Sequence, residues 1–205
     1  IKRPEILLRA EKELAFIEKN HITCYFLTDT SYPARLRECP DAPVLFYFKG
    51  DTNLDATRII SIVGTRNATE YGRGLTESLI KDLAKAVPDL LIVSGLAYGI
   101  DICAHRSALH NQLPTVAVLA HGLDRIYPSS HRSTAVEMLE SGGLLTDFPS
   151  GTEPDRPNFI RRNRIVAGMS DATIVIESAE KGGSLVTADI AFSYGRDVYS
   201  FPGRV

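Results

Sequence analysis

Short apolar runs alternate with amphipathic stretches along most of this chain, and that alternation constrains the fold more than any other feature of the sequence. Strand-like runs occur at 59–63, 90–93, 115–119, 143–146, 173–177 and 197–201. Helical spacing appears near 72–87, 99–111, 131–141, 160–169 and 184–195. Runs this short and this rich in Ile, Leu and Val suit strands buried on both faces, which calls for a parallel sheet with helices above and below it. The expected fold is α/β: a doubly wound, mostly parallel, extended Rossmann-like sheet with helices on both faces. In such a sheet the strand-to-helix loops gather along the carboxyl edge, where ligands bind.

The alternation is assigned to residues 51–205, taken as the core. Residues 1–50 are read as a lead-in packing on that core, a possible remnant of an N-terminal domain. It begins with an amphipathic helix over 4–20, with Ile6, Leu7, Ala10, Leu14 and Ile17 at helical spacing. An irregular stretch follows with Pro33, Pro40 and Pro43, ending in the strand-like run 44–48. No apolar run approaches the roughly 18–20 residues of a membrane span. The start, Ile1-Lys2-Arg3-Pro4, does not resemble a signal peptide, and its first residue is that of a fragment. Cys24, Cys39 and Cys103 are odd in number and widely spaced, which fits reduced structural residues in the cytoplasm and neither a disulfide framework nor a metal site.

Four stretches carry candidate chemistry. Gly64-Thr65-Arg66 follows a strand and precedes a helix, so backbone N–H groups, a hydroxyl and a guanidinium group could meet an anion there. Ser94-Gly95 opens a second such loop, running to Asp101. Asp101 and His105, four residues apart on one helix face, are read as a hydrogen-bonded pair that fixes this loop, in preference to an acid–base or metal pair. The third stretch is Arg156-Pro157-Asn158-Phe159-Ile160-Arg161-Arg162-Asn163-Arg164, four arginines around an aromatic ring with no acidic residue. That mixture suits single-stranded nucleic acid, whose bases stack and whose phosphates pair with guanidinium groups. At helical spacing the four cannot all face one groove, so about two are expected to touch ligand. The fourth stretch, with Lys181, Gly183 and Ser184, repeats the strand–glycine–helix arrangement. A net charge of −2 argues against a chain that coats nucleic acid over its whole surface, and leaves room for a local basic groove.

Taken together these stretches resemble the DprA/Smf family of bacterial DNA-processing proteins. The matching pieces are Tyr32-Pro33, Ile62-Val63-Gly64-Thr65-Arg66, Tyr71-Gly72, Ser94–Asp101 and His105. They continue with Gly122-Leu123-Asp124, Tyr127-Pro128, Arg162-Asn163-Arg164-Ile165, Gly183-Ser184, Thr187-Ala188 and Pro202-Gly203. The resemblance implies an extended Rossmann fold that binds single-stranded DNA, often as a homodimer. It also implies a role in natural transformation, protecting incoming strands and helping load the RecA recombinase, with no catalysis and no cofactor. The implied DNA pocket comprises Gly64, Thr65, Arg66, Ser94, Gly95 and the 147–164 segment. One departure is Thr65, where serine is more usual in the family; the hydroxyl is kept.

The full expected site is therefore Gly64, Thr65, Arg66, Ser94, Gly95, Arg156, Phe159, Arg161, Arg162, Asn163, Arg164, Lys181, Gly183 and Ser184, with no metal and no catalytic residue. The alternative is a nucleotide-processing enzyme of the phosphoribohydrolase-like Rossmann group, for which Asp101, His105 and Glu177 are the only acid–base candidates. A nicotinamide dehydrogenase is disfavoured, because the first strand–loop–helix lacks GxGxxG.

Overall fold

Apolar residues on successive strand positions point to opposite faces of a sheet, and that alternation builds a packed core on each face here. The computed structural model describes residues 3–203. Eight strands, β1 (Thr23–Phe26), β2 (Leu45–Gly50), β3 (Ile59–Val63), β4 (Leu91–Ser94), β5 (Thr115–Val118), β6 (Gly143–Thr146), β7 (Ala172–Val175) and β8 (Asp197–Ser200), form one sheet. Their order is β1-β2-β6-β5-β4-β3-β7-β8. All neighbours from β6 to β8 are parallel, while β1–β2 and β2–β6 are antiparallel.

The helices are α1 (Arg3–Lys19), α2 (Ala34–Arg37), α3 (Glu70–Ala86), α4 (Ile100–His110), α5 (Arg132–Glu137), α6 (Arg156–Gly168) and α7 (Gly183–Ser193). On one face Ile59 and Val63 of β3, Leu91 and Val93 of β4, and Val116 and Val118 of β5 pack with Leu36 of α2, Ile165 and Met169 of the α6 end, and Ala188 of α7. On the other face Ile62, Ile92 and Ile174 pack with Ile80 of α3 and Ala104 and Ala108 of α4. The doubly wound α/β fold read from the sequence is thus the fold observed.

The first 50 residues differ from the reading in two ways. The stretch after His21, expected to be irregular, contains β1, which pairs with β2 from Thr23↔Phe48 to Phe26↔Leu45 and extends the sheet. The helix α1 buries none of its residues, and Ile6, Leu7, Leu8 and Leu14 are each more than half exposed. It is tied to the core by Glu13, whose carboxylate accepts from Ser150 N (2.9 Å) and Ser150 Oγ (2.6 Å).

Polar groups inside the sheet are paired, as buried donors and acceptors must be. Ser61 and Thr173 share a 2.7 Å hydrogen bond between β3 and β7. The pairing of Asp101 with His105 is not made. Thr115 Oγ1 donates to Ile92 O (3.0 Å) and so accepts from His105 Nδ1–H at 2.7 Å, which ties α4 to β5. His105 is fully buried and its Nε2 has no hydrogen-bond partner among the described residues, so a second proton there would be an unpaired charge. Burial, reinforced by the positive charge of Arg162 and by His131, pushes its pKa down to about 3.

The folded state therefore holds His105 neutral, while an unfolded histidine gains its proton below about pH 6.5. This contribution to stability is complete above that pH and is lost as the pH falls towards 3. Urea denaturation at pH 7 and pH 5 tests it. The His105 term lowers stability by on the order of 2 kcal/mol at the lower pH, and in His105→Gln the difference between the two pH values shrinks.

Candidate nucleic-acid interface

Strand β3 lies inside the sheet, and the chain leaves it in one direction to β4, β5 and β6, then returns on its other side as β7. The loops after β3 and β7 consequently part at the carboxyl edge, the topological switch point where open α/β sheets bind ligands. Backbone hydrogen bonds stitch the loops together below the opening. Thr65 N donates to Glu177 O at 2.7 Å, and Ile100 N donates to Thr65 O at 3.2 Å. Gly99 is required at that crossing: its φ is +79°, and a Cβ would lie 2.1 Å from Thr65 O. Above the stitching a cleft of about 1020 Å³ opens, with α6 as one wall and the start of α7 as another.

The helix starts at this edge are not equivalent. At α3 the Thr69 side chain accepts from Gly72 N (3.1 Å), and Glu177 accepts from Thr69 N (3.0 Å). An internal carboxylate thus occupies the place where an anion was expected. At α6 the Asp155 carboxylate accepts from Asn158 N (3.0 Å). At α7 the N-cap is Gly182, with no side-chain cap. A Cβ built on Gly183 would meet nothing within 4 Å, so the backbone there is open to close approach.

Cationic and aromatic groups line the same cleft. Arg66 is exposed, and its guanidinium carbon lies 4.9 Å from the ring centroid of the half-buried Phe159. Tyr127 leans on Phe159 with ring centroids 5.9 Å apart. Arg156 and Lys181 are exposed on opposite walls, and Asn163 Nδ2 donates to Gly183 O (3.3 Å), joining α6 to α7.

Arg162 lies under the cleft floor, not in its mouth. It is 4% exposed, and its Nη1 donates to Val118 O at 2.8 Å. Burial lowers its pKa to about 10, and the Asp101 carboxylate opposes the shift. Burial pushes Asp101 the other way, upward, against the pull of Arg162. Gly95 is glycine because a Cβ would lie 1.7 Å from the Arg162 guanidinium. Asp101 Oδ2 accepts from Ala97 N (3.4 Å) and so supports the 94–99 loop, the role that the sequence reading gave to Asp101 with His105.

The cleft gathers Gly64, Thr65, Arg66, Gly95, Arg156, Phe159, Arg162, Asn163, Lys181, Gly183 and Ser184 from the expected site. Ser184 is nearly buried and donates to Ser178 Oγ (2.8 Å). Three expected residues lie elsewhere. Ser94 is fully buried and donates to Ile62 O (2.6 Å). Arg161 sits 5.2 Å over the Phe148 ring, and Arg164 pairs with Asp147 and the Asp41 carbonyl. Helical spacing turns the last two onto the side of α6 that meets the Asp147-Phe148 segment after β6. The sequence reading omitted Tyr127, Ile160, Leu185 and Val186 from the site, all exposed in the cleft. Only Tyr127 had a signal, an aromatic residue shortly after a strand's carboxyl end.

Comparison with known proteins agrees with this architecture. The family model described as DNA recombination-mediator protein A matches residues 23–205. The chain belongs to this family. It is 38% identical over 193 residues to the DNA processing protein DprA of Bacillus subtilis, covering 94% of this chain and 64% of that protein. It is 42% identical to Protein Smf of Synechocystis, covering 86% of this chain and 46% of that protein. The chain therefore spans about half to two thirds of the length of these relatives. The structure of DprA from Streptococcus pneumoniae superposes with a TM-score of 0.86 at 36% identity, covering 93% of this chain and 67% of that one. DprA from Helicobacter pylori, described for its unique single-stranded DNA binding mode, superposes at 0.80 with 32% identity, covering 91% and 84%.

In this member of the DprA/Smf family, Arg162 and Arg156 separate structure from surface. Arg162→Met leaves the buried Val118 carbonyl without the guanidinium that donates to it and lowers stability by about 1–3 kcal/mol in denaturant titration. Arg156→Ala, at an exposed position, changes stability by about 0.5 kcal/mol or less.

Proposed function

We propose that this chain binds single-stranded DNA along the cleft and performs no chemistry on it. The observation that carries the reading is the Arg66–Phe159 contact facing the open start of α7, which sets a cation, an aromatic ring and free backbone N–H groups around one space. Phosphates meet Arg66, Arg156, Lys181 and the α7 start, and bases meet the aromatic and apolar wall. With a net charge of −2 on the whole chain, attraction to phosphate depends on local groups such as these. The single-stranded DNA mode described for the Helicobacter relative supports the reading. On the same reading the chain acts in the cytoplasm as a homodimer during natural transformation, shields incoming strands and assists RecA loading, without a cofactor.

The enzymatic alternative has less in its favour. Its acid–base candidates are engaged elsewhere: Asp101 under the 94–99 loop near Arg162, His105 on Thr115, and Glu177 on the Thr69 amide. Incubation with nucleoside monophosphates is expected to release no free base, followed by chromatography.

Fluorescence anisotropy with a labelled oligothymidine tests the binding reading. The single strand binds more tightly than the duplex, and affinity falls steeply with salt. Arg66→Ala weakens binding at least about tenfold, from the loss of a charge-assisted hydrogen bond of roughly 1.5–3 kcal/mol. It also flattens the slope of log K against log salt by about 0.7. Equal affinity for the wild type and Arg66→Ala removes Arg66 from the interface.

A further inference from the structure

We infer that Tyr127 is a base-stacking residue of the cleft and that the buried His121 is its positioning residue. The inference rests on the single-strand reading and adds to it the aromatic surface that the strand uses.

Phe159 is the ring that the sequence singles out, but its surface is largely committed. It is half-buried, with Arg66 over it at 4.9 Å and the Tyr127 ring tilted against it by 51° at 5.9 Å. Tyr127 is 44% exposed and lines the same cleft, so it offers the larger open aromatic surface there. A base stacked on Tyr127 leaves Arg66 in place over Phe159, within reach of the neighbouring phosphate.

An exposed ring is a useful platform only if its backbone is fixed, and several contacts fix this one. His121 is 1% exposed and follows β5 closely in the chain. Its Nε2 accepts from Tyr127 N–H (3.3 Å) while its Nδ1–H donates to Gly122 O (2.9 Å). The imidazole ring thus uses both nitrogens to close the 121–127 turn on itself. The turn is then fastened to the loop leading into α6. Gly122 N donates to Thr152 O (3.2 Å), and Gly151 N donates to Asp124 Oδ1 (2.8 Å). Arg125 bridges Asp124 and Glu153. Tyr127 and Phe159 therefore sit on two segments that are locked together, and the Tyr127 amide is anchored from beneath by His121.

The chain contains no tryptophan, so Tyr127→Trp places a single indole reporter in the cleft. On addition of oligothymidine its emission is expected to be quenched, saturating with the dissociation constant found by anisotropy. Tyr127→Ala weakens binding about tenfold and leaves the salt slope unchanged, because the lost group carries no charge. His121→Leu gives a similar loss, whereas His121→Gln, whose carboxamide oxygen can still accept from the Tyr127 amide, restores most of the affinity. In a Tyr127→Ala background His121→Leu adds no further loss. Thermal melting of each variant reports folding, and the Tyr127→Trp quench decides the matter should Tyr127→Ala melt early. A wild type that binds while Tyr127→Ala binds equally well, or an unquenched Tyr127→Trp, overturns the inference and leaves the single-strand reading standing. Additive losses in the double variant overturn the role of His121. A wild type that binds no oligothymidine removes the reading beneath both.

Discussion

The parallel pairing of β3 with β7 is the constraint on which the rest of the molecule depends. β3 is reached early in the core and β7 only after the chain has crossed to β6 and back, so their following loops leave in different directions and a cleft opens between them. The pairing is held by the ladder from Ile60↔Ala172 to Val63↔Val175, by the buried Ser61–Thr173 hydrogen bond, and by Thr65 N–H donating to Glu177 O just beyond the strand ends. Apolar side chains on both faces of these strands make the arrangement stiff. The loops therefore need little internal structure of their own to hold position.

Charge at this edge is divided between support and display. Glu177 satisfies the α3 start, Asp155 satisfies the α6 start, and Asp101 supports the 94–99 loop through the Ala97 amide. These internal contacts leave Arg66, Arg156, Lys181 and the uncapped α7 start facing the opening. A chain with a net negative charge can in this way gather Arg66, Arg156 and Lys181 beside aromatic rings at one edge, with Glu180 and Asp189 as the acidic members of the same lining.

Much of the fold was legible in the sequence, because buried parallel strands announce themselves as short apolar runs. The strand β1 was not: Thr-Cys-Tyr-Phe is only partly buried, lies at the sheet edge, and pairs with a partner some twenty residues away across a proline-rich stretch. The apolar spacing of α1 was visible, but spacing does not say whether a stripe is covered, and no α1 residue is buried. The loops of the site were legible as glycine-rich turns. The fate of single side chains was not. Arg161, Arg162 and Arg164 read alike, yet one lies over Phe148, one beneath Gly95, and one on Asp147. The partner of His105 is set by β5 packing across α4, a contact that i,i+4 spacing cannot reveal. The place of Tyr127 is not legible either, because it is set by the ring it leans on, which belongs to another element.

The most direct test of the central claim is photocrosslinking of the protein to a 4-thiothymidine oligomer, followed by mass spectrometry of the crosslinked peptides. If the strand lies in the cleft between the β3 and β7 loops, crosslinks fall on peptides containing residues 64–67, 156–163 and 181–186, with few on α1 or on the far ends of α3 and α4. Crosslinks concentrated on those remote helices, with the cleft peptides unmodified, would contradict the account.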